Sequence, residues 1–141
     1  MSYTALLFSL LLIFSPVQSD EEIKALLQQK LVAYEAAIKS KDIEGLLDMF
    51  GPDGAYGNAK TRHEIRMGLT SYLRNEIIDF SMFTDKISVT PSLANHMGKF
   101  NQELIMNGFK KKNNGKFRIV WYKYADGWKI QYLSMEPDTS N

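Results

Sequence analysis

Cysteine is absent from the 141 residues, which excludes a disulfide framework, a thiol nucleophile and a thiolate metal site. Histidine is nearly absent. His63 and His96 stand far apart, and no carboxylates cluster beside either. That falls short of metal-ligand spacing, so neither a metal site nor a cofactor is expected. An excess of one charge is lacking too, with 17 Lys+Arg against 16 Asp+Glu. A near-neutral chain offers nucleic acid no basic face, so no nucleic-acid partner is expected. There is no internal repeat, no low-complexity stretch and no Asn-x-Ser/Thr acceptor for N-glycosylation.

The first 19 residues carry no charged side chain. Within them, residues 5–14 read ALLFSLLLIF, an apolar run of ten that Pro16 breaks. Val17 and Ser19 supply small residues at the minus-three and minus-one positions of a signal-peptidase site. Ten helical residues reach about 15 Å, half of a hydrocarbon core of about 30 Å. Residues 1–19 are therefore expected to be a cleaved secretory signal, although no Lys or Arg precedes the run; an uncleaved anchor or a buried first helix is the alternative. Residues 20–141 are expected to form one secreted domain, with no stable membrane insertion after cleavage. A chain of this size, 45% hydrophobic, buries a core without covalent staples.

Asp20, Glu21 and Glu22 place negative charge where a helix begins. Ile23, Leu26, Leu27, Leu31, Tyr34 and Ile38 then recur on one face of a 3.6-residue period, which predicts a helix to about Lys39. Asp42 is a suitable cap for a second helix whose buried side is Ile43, Leu46, Leu47 and Phe50, with residues 51–54 (Gly-Pro-Asp-Gly) as the turn that ends it. Thr61 and Glu64 form a capping box, and Ile65, Leu69, Tyr72 and Leu73 continue a third helix to about Asn75. His63 falls in that helix's first turn, where a solvated side chain is expected.

From Ile77 the pattern becomes extended. Phe80, Met82, Phe83, Ile87 and Val89 predict a strand closed by Pro91, and residues 93–107 a second. Residues 110–116, Lys-Lys-Lys-Asn-Asn-Gly-Lys, read as a solvated turn on the strength of their Asn-Gly pair. Residues 117–124 and 128–135 read as a hairpin closed by Ala125-Asp126-Gly127. Pairing Tyr124 with Trp128 puts Arg118, Val120, Tyr122, Trp128, Ile130 and Tyr132 on one face. Phe117, Ile119, Trp121, Leu133 and Met135 fall on the other. Both faces are substantially apolar, so one should meet the helices and the other a second copy of the chain.

Four stretches in this order resemble the NTF2-like superfamily, in particular its DUF4440 and SnoaL-like members. They are Lys41-Asp42-Ile43-Glu44-Gly45-Leu46-Leu47, Phe50-Gly51-Pro52-Asp53-Gly54-Ala55-Tyr56, the helix start at Arg62 to Arg66 (without the family's Gly), and Ile119-Val120-Trp121 through Asp126-Gly127-Trp128-Lys129-Ile130. The resemblance implies an α+β fold, a cone of three N-terminal helices packed in a strongly curved, mostly antiparallel sheet. It also implies a cone that serves as a ligand pocket or active site, and pairing through the sheet's outer face. The superfamily spans isomerases, dehydratases, cyclases, transport factors and kinase association domains, so fold does not fix function.

Two functional expectations result. In the first, the chain is a non-enzymatic homodimer. Its interface is formed by Ile119, Trp121, Leu133 and Met135, and a small apolar ligand is held by Tyr56, Arg118, Tyr122, Trp128 and Tyr132. Arg118 would meet a ligand carboxylate at the cone mouth. In the second, it is an acid–base enzyme of the isomerase or dehydratase kind, with Asp79 or Glu103 as base and Tyr56, Tyr122 or Tyr132 as donor. No catalytic set is assigned on the first reading. His96 is the best proton shuttle if it faces the cone. A third reading, a pure assembly module, is disfavoured by the signal segment.

Overall fold

The computed structural model describes residues 17–139. Most of the expected signal segment lies outside the described residues. Ser19 caps α1 (Asp20–Lys39): its Oγ accepts the Glu22 N–H at 3.2 Å, and the three acidic residues follow in the first turn. Ile23, Leu27, Leu31, Tyr34 and Ile38 form the buried stripe. Lys41 takes a positive φ of 58°, and Asp42 Oδ1 accepts the Gly45 N–H at 3.0 Å to cap α2 (Ile43–Asp48). Strand β1 (Phe50–Tyr56) follows at once. The expected turn at 51–54 is instead the irregular part of this strand. Its two glycines let neighbours close in, since a Cβ on Gly51 would strike the Tyr124 ring and one on Gly54 the Ile130 carbonyl. Thr61 Oγ1 accepts the Glu64 N–H at 3.1 Å and starts α3 (Arg62–Leu73), and Glu64 reaches back to the Lys60 N–H at 3.1 Å. His63 is exposed, as expected.

Four long strands complete the chain: β2 (Glu76–Val89), β3 (Leu93–Met106), β4 (Phe109–Tyr124) and β5 (Gly127–Pro137). The sheet order is β1-β5-β4-β3-β2, antiparallel except for the β1–β5 pair. The helices pack into this curved sheet, so the α+β class is as expected. The β3–β4 turn is not at residues 110–116. It is Asn107-Gly108, with φ of 53° and 82°, the positive values a two-residue hairpin turn requires. The second Asn-Gly pair lies inside β4, where a Cβ on Gly115 would stand 2.2 Å from the Glu136 carbonyl and 2.6 Å from the Phe100 ring. Close approach, not turn geometry, explains that glycine.

In the β4–β5 hairpin Trp128 and Ile130 face the helices as expected, but the rest of the two faces is exchanged. Val120 pairs with Tyr132 and Arg118 with Ser134 as anticipated, but Trp121 pairs with Ile130, leaving Gln131 without a partner. This bulge shifts the alternation of β5. Trp128 and Ile130 on one side of it, and Leu133 and Met135 on the other, all point at the helices. With them point Phe117, Ile119 and Trp121. Ile119, Trp121 and Leu133 are fully buried in the core and are no surface for a partner. Arg118, Val120, Tyr122 and Tyr132 lie on the outer face, with the other sign of the strand alternation.

His96 is fully buried on β3 and faces inward. Its Nδ1 accepts the Trp121 indole N–H at 3.2 Å, and its Nε2 is 2.7 Å from Thr84 Oγ1. An indole N–H only donates, so Nδ1 carries no proton and Nε2–H donates to Thr84. The Thr84 hydroxyl in turn donates to Gln28 Oε1 at 3.0 Å. This chain of bonds runs from β4 through β3 and β2 to α1. Two turns further along α1, Glu35 Oε1 accepts the Met82 N–H at 2.6 Å. α1 thus lies along the open edge of β2, covering an edge that would otherwise invite another strand.

Burial lowers the His96 pKa from 6.5 to about 4. The unfolded chain binds this proton between those values and the folded chain does not, so stability falls as pH drops through that window. Between pH 7 and 4.5 the loss from this group is about 2–3 kcal/mol. His96→Gln keeps one acceptor and one donor and cannot titrate. Urea unfolding at the two pH values is expected to show a smaller acid loss for the variant by that amount. Equal losses in the two proteins would remove His96 as the cause.

Candidate functional site

The helices do not fill the cone completely. A cavity of about 280 Å³ remains between the C-terminal half of α1, α3 and the sheet. α1 contributes Tyr34 and Ile38, one turn apart, and α3 contributes Ile65, Gly68, Leu69 and Tyr72, which helical spacing places on one side. The sheet adds Tyr56, Phe80, Phe100, Gln102, Met135 and Pro137, with Ala59 from the turn after β1. Phe100 and Gln102 are both inward because they are two apart on β3. The wall is apolar except for three phenols and one amide.

The Tyr72 hydroxyl donates to Gln102 Oε1 at 2.6 Å. Tyr34 is almost fully buried, its ring 6.3 Å from that of Phe80. Burial raises the Tyr34 hydroxyl well above its ordinary value of 10, and the neighbouring Tyr56 and Tyr72 add to the effect. Burial raises Tyr56 and Tyr72 as well. All three phenols are therefore neutral across the physiological range and can donate hydrogen bonds. The lining contains no carboxylate, histidine, lysine or arginine. Such a wall suits an uncharged, mainly apolar molecule with an oxygen to accept a bond.

Of the residues expected to hold a ligand, Tyr56 lines this cavity. Trp128 is buried in the core without lining it, and its indole N–H has no partner among the described residues. Arg118, Tyr122 and Tyr132 are on the other side of the sheet. Arg118 is exposed there and donates to Asn95 Oδ1 at 3.0 Å, so it cannot meet a ligand in the cone. Met135, expected at an interface, is a wall of the cavity. Asp79 is exposed, and Glu103 pairs with Lys110 at 3.0 Å; neither lines the cavity, so no strand carboxylate stands beside Tyr56. His96 faces inward but is engaged by Trp121 and Thr84 and does not line it either.

Sequence reasoning missed Tyr34, Tyr72, Gln102 and Gly68 as site residues. Tyr34 and Tyr72 were absorbed into apolar helical stripes, although a hydroxyl on such a stripe needs a partner and is itself a signal. Gly68 is the clearer signal. It stands in the middle of α3, where glycine costs about 1 kcal/mol relative to alanine, and a Cβ there would meet nothing within 4 Å. The residue is exposed and lines the cavity, which puts it at the mouth.

The outer face of the sheet carries a second set of apolar groups. The Tyr122 and Tyr124 rings meet edge to face at 4.8 Å, and the Tyr124 hydroxyl bonds Asp53. Burial and Asp53 push the Tyr124 hydroxyl up to about 12. Phe83 and Met97 are exposed, and Val120, Tyr122 and Tyr132 half-buried.

No family model matches the sequence, and no curated protein does. Solved structures match along most of the chain. An NTF2-like superfamily protein from Salmonella enterica serovar Typhimurium is 15% identical with a TM-score of 0.74, covering 87% of this chain and 96% of that one. A ketosteroid isomerase-like protein from Erwinia carotovora is also 15% identical, with a TM-score of 0.74 and coverage of 86% and 100%. A candidate dehydratase of the NTF2-like family from Streptomyces avermitilis is 15% identical, with a TM-score of 0.73 and the same coverage. Identities this low establish the fold alone: the chain has the NTF2-like cone.

Gly68→Ala is expected to raise stability by about 0.5–1 kcal/mol in urea unfolding, because the position is helical and open. A destabilised alanine variant would show that the glycine is held by packing instead.

Proposed function

We propose that this chain is a secreted, non-catalytic NTF2-like domain of the DUF4440 or SnoaL-like kind. It binds one small uncharged molecule in its cone and pairs with a second copy through the outer face of its sheet. The observation that carries the binding part is the lining of the cavity. Nine apolar or small residues surround three neutral phenols and one amide, none of which takes up or releases a proton near neutral pH. An acid–base enzyme needs a titratable group within hydrogen-bond reach of its substrate, and the two carboxylates considered for that task are on the outside.

Pairing is supported by the outer face, which carries the exposed Phe83 and Met97 and the half-buried Val120, Tyr122 and Tyr132. Exposed apolar groups gathered on one sheet face mark an interaction surface. Secretion is supported by the apolar run, Pro16 and the small residues at Val17 and Ser19.

Binding is tested by purifying the secreted chain from an exporting cell and identifying co-purifying small molecules by native mass spectrometry. A neutral adduct is expected on the wild type and not on Gly68→Leu, whose side chain would occupy the mouth. An unliganded wild type, or an adduct that survives in the variant, would overturn the cavity as its site.

Pairing is tested by sedimentation at micromolar concentration. A dimer is expected, with Met97→Glu monomeric and folded. Trp121→Glu is expected to unfold the chain, with a loss above about 4 kcal/mol, because a charge would enter the core. A monomeric wild type would end the dimer reading.

A further inference from the structure

The β3–β4 hairpin carries a feature that neither the cavity nor the outer face uses. Its two-residue turn brings Phe109 to the tip, where the ring is 73% exposed. Lys110, Lys111 and Lys112 follow at once, all exposed. Strand alternation sends Lys110 and Lys112 to one side of the hairpin and Lys111 to the other. Glu103 engages Lys110 at 3.0 Å, while Lys111 and Lys112 make no ion pair among the described residues. Further along the same two strands Lys99 stands directly opposite Lys116. Like charges in register repel, so this pair contributes nothing to the hairpin's own stability.

The terminal third of the arm is likewise outside the core: residues 105–114 supply no member of the buried cluster. The aromatic tip is therefore not required by packing. What sets this ring apart from the other exposed apolar residues is its place at a hairpin tip with unpaired lysines directly behind it.

We propose that the β3–β4 hairpin tip docks on an anionic membrane surface, Phe109 entering the interface and the lysines behind it meeting lipid headgroups. One aromatic group or a few lysines alone hold a surface weakly, but the two together supply the pair of signals that peripheral attachment takes. The shape of the tip favours lipid over a nucleic-acid strand. Base stacking uses an aromatic ring set in a groove, and Phe109 sits at the convex end of a two-residue turn. No helix among the described residues is long and apolar enough to cross a membrane.

The experiment is cosedimentation of the secreted chain, residues 20–141, with phosphatidylcholine vesicles, with and without phosphatidylserine, at low and high salt. Binding is expected only with phosphatidylserine and is expected to weaken with salt. Phe109→Ser should lower the affinity by about tenfold, and Lys111→Glu with Lys112→Glu by more than that. These side chains are exposed, so the urea midpoint of each variant should match the wild type. In a parallel measurement, Phe109→Trp is expected to shift its emission to the blue on anionic vesicles and not on heparin. No binding to anionic vesicles overturns the proposal. So does binding that ignores Phe109→Ser, or a tryptophan that stays in water while heparin binds equally well, which would mark the lysines as a general polyanion surface.

Discussion

One unpaired residue determines which side of the sheet is the inside. A strand alternates with period two, so inserting Gln131 between the pairs Val120–Tyr132 and Trp121–Ile130 reverses the phase of β5 at that point. Without it, Trp128 and Ile130 could not share a face with Leu133 and Met135. With it, all four reach the helices and close the core around Trp121. The same bend tightens local twist and helps wrap a five-stranded sheet around helices. The cavity depends on this arrangement, because Met135 and Pro137 enter its wall only in the shifted phase.

The helical side of the cone is held by a different device. α1 meets the sheet through apolar residues, but its position along β2 is set by hydrogen bonds to an edge that has no strand beyond it. Glu35 satisfies a backbone N–H of that edge. Gln28 receives the end of a chain of donors that begins at the Trp121 indole. Because each member of the chain has one donor direction open to it, the neutral tautomer of His96 is built into the packing. A protonated ring would turn a donor toward the Trp121 donor and leave both unsatisfied, in a place where water cannot help. The histidine that looked most like a proton shuttle is thereby a structural one.

Much of the architecture was legible where local chemistry decides. The helix caps at Asp42 and Thr61 and the apolar stripe of α1 could be read directly from residue spacing. The place of the β4–β5 hairpin was legible too, but its turn is Ala125-Asp126, one residue shorter than expected, so that Tyr124 pairs with Gly127 and Lys123 with Trp128. Non-local contacts set what was not legible. Two Asn-Gly pairs compete for the β3–β4 turn, and only the Phe100 ring and the Glu136 carbonyl packed against Gly115 show that the second belongs in a strand. The bulge at Gln131 likewise has no residue of its own to announce it. With Trp128 and Ile130 inward, extending a uniform alternation through it carries Arg118, Tyr122 and Tyr132 inward and Ile119, Trp121, Leu133 and Met135 outward, the reverse of what is found. Tyr56 escaped this error because its place rests on β1 and not on the hairpin.

The cavity is the part of the molecule that runs against stability, and its two costs converge on one place. A glycine in the middle of α3 gives up helix propensity although a Cβ would fit there. Three phenols are carried into an apolar wall, where each hydroxyl requires a partner: Tyr72 bonds Gln102, and Tyr34 and Tyr56 bond each other. Larger aliphatic side chains at these positions would fill the space and remove both costs. A fold under no demand beyond stability has no reason to keep glycine at the mouth and hydroxyls within. On the proposed binding function a ligand would account for both: the missing side chain would give it a way in, and the hydroxyls would set its orientation.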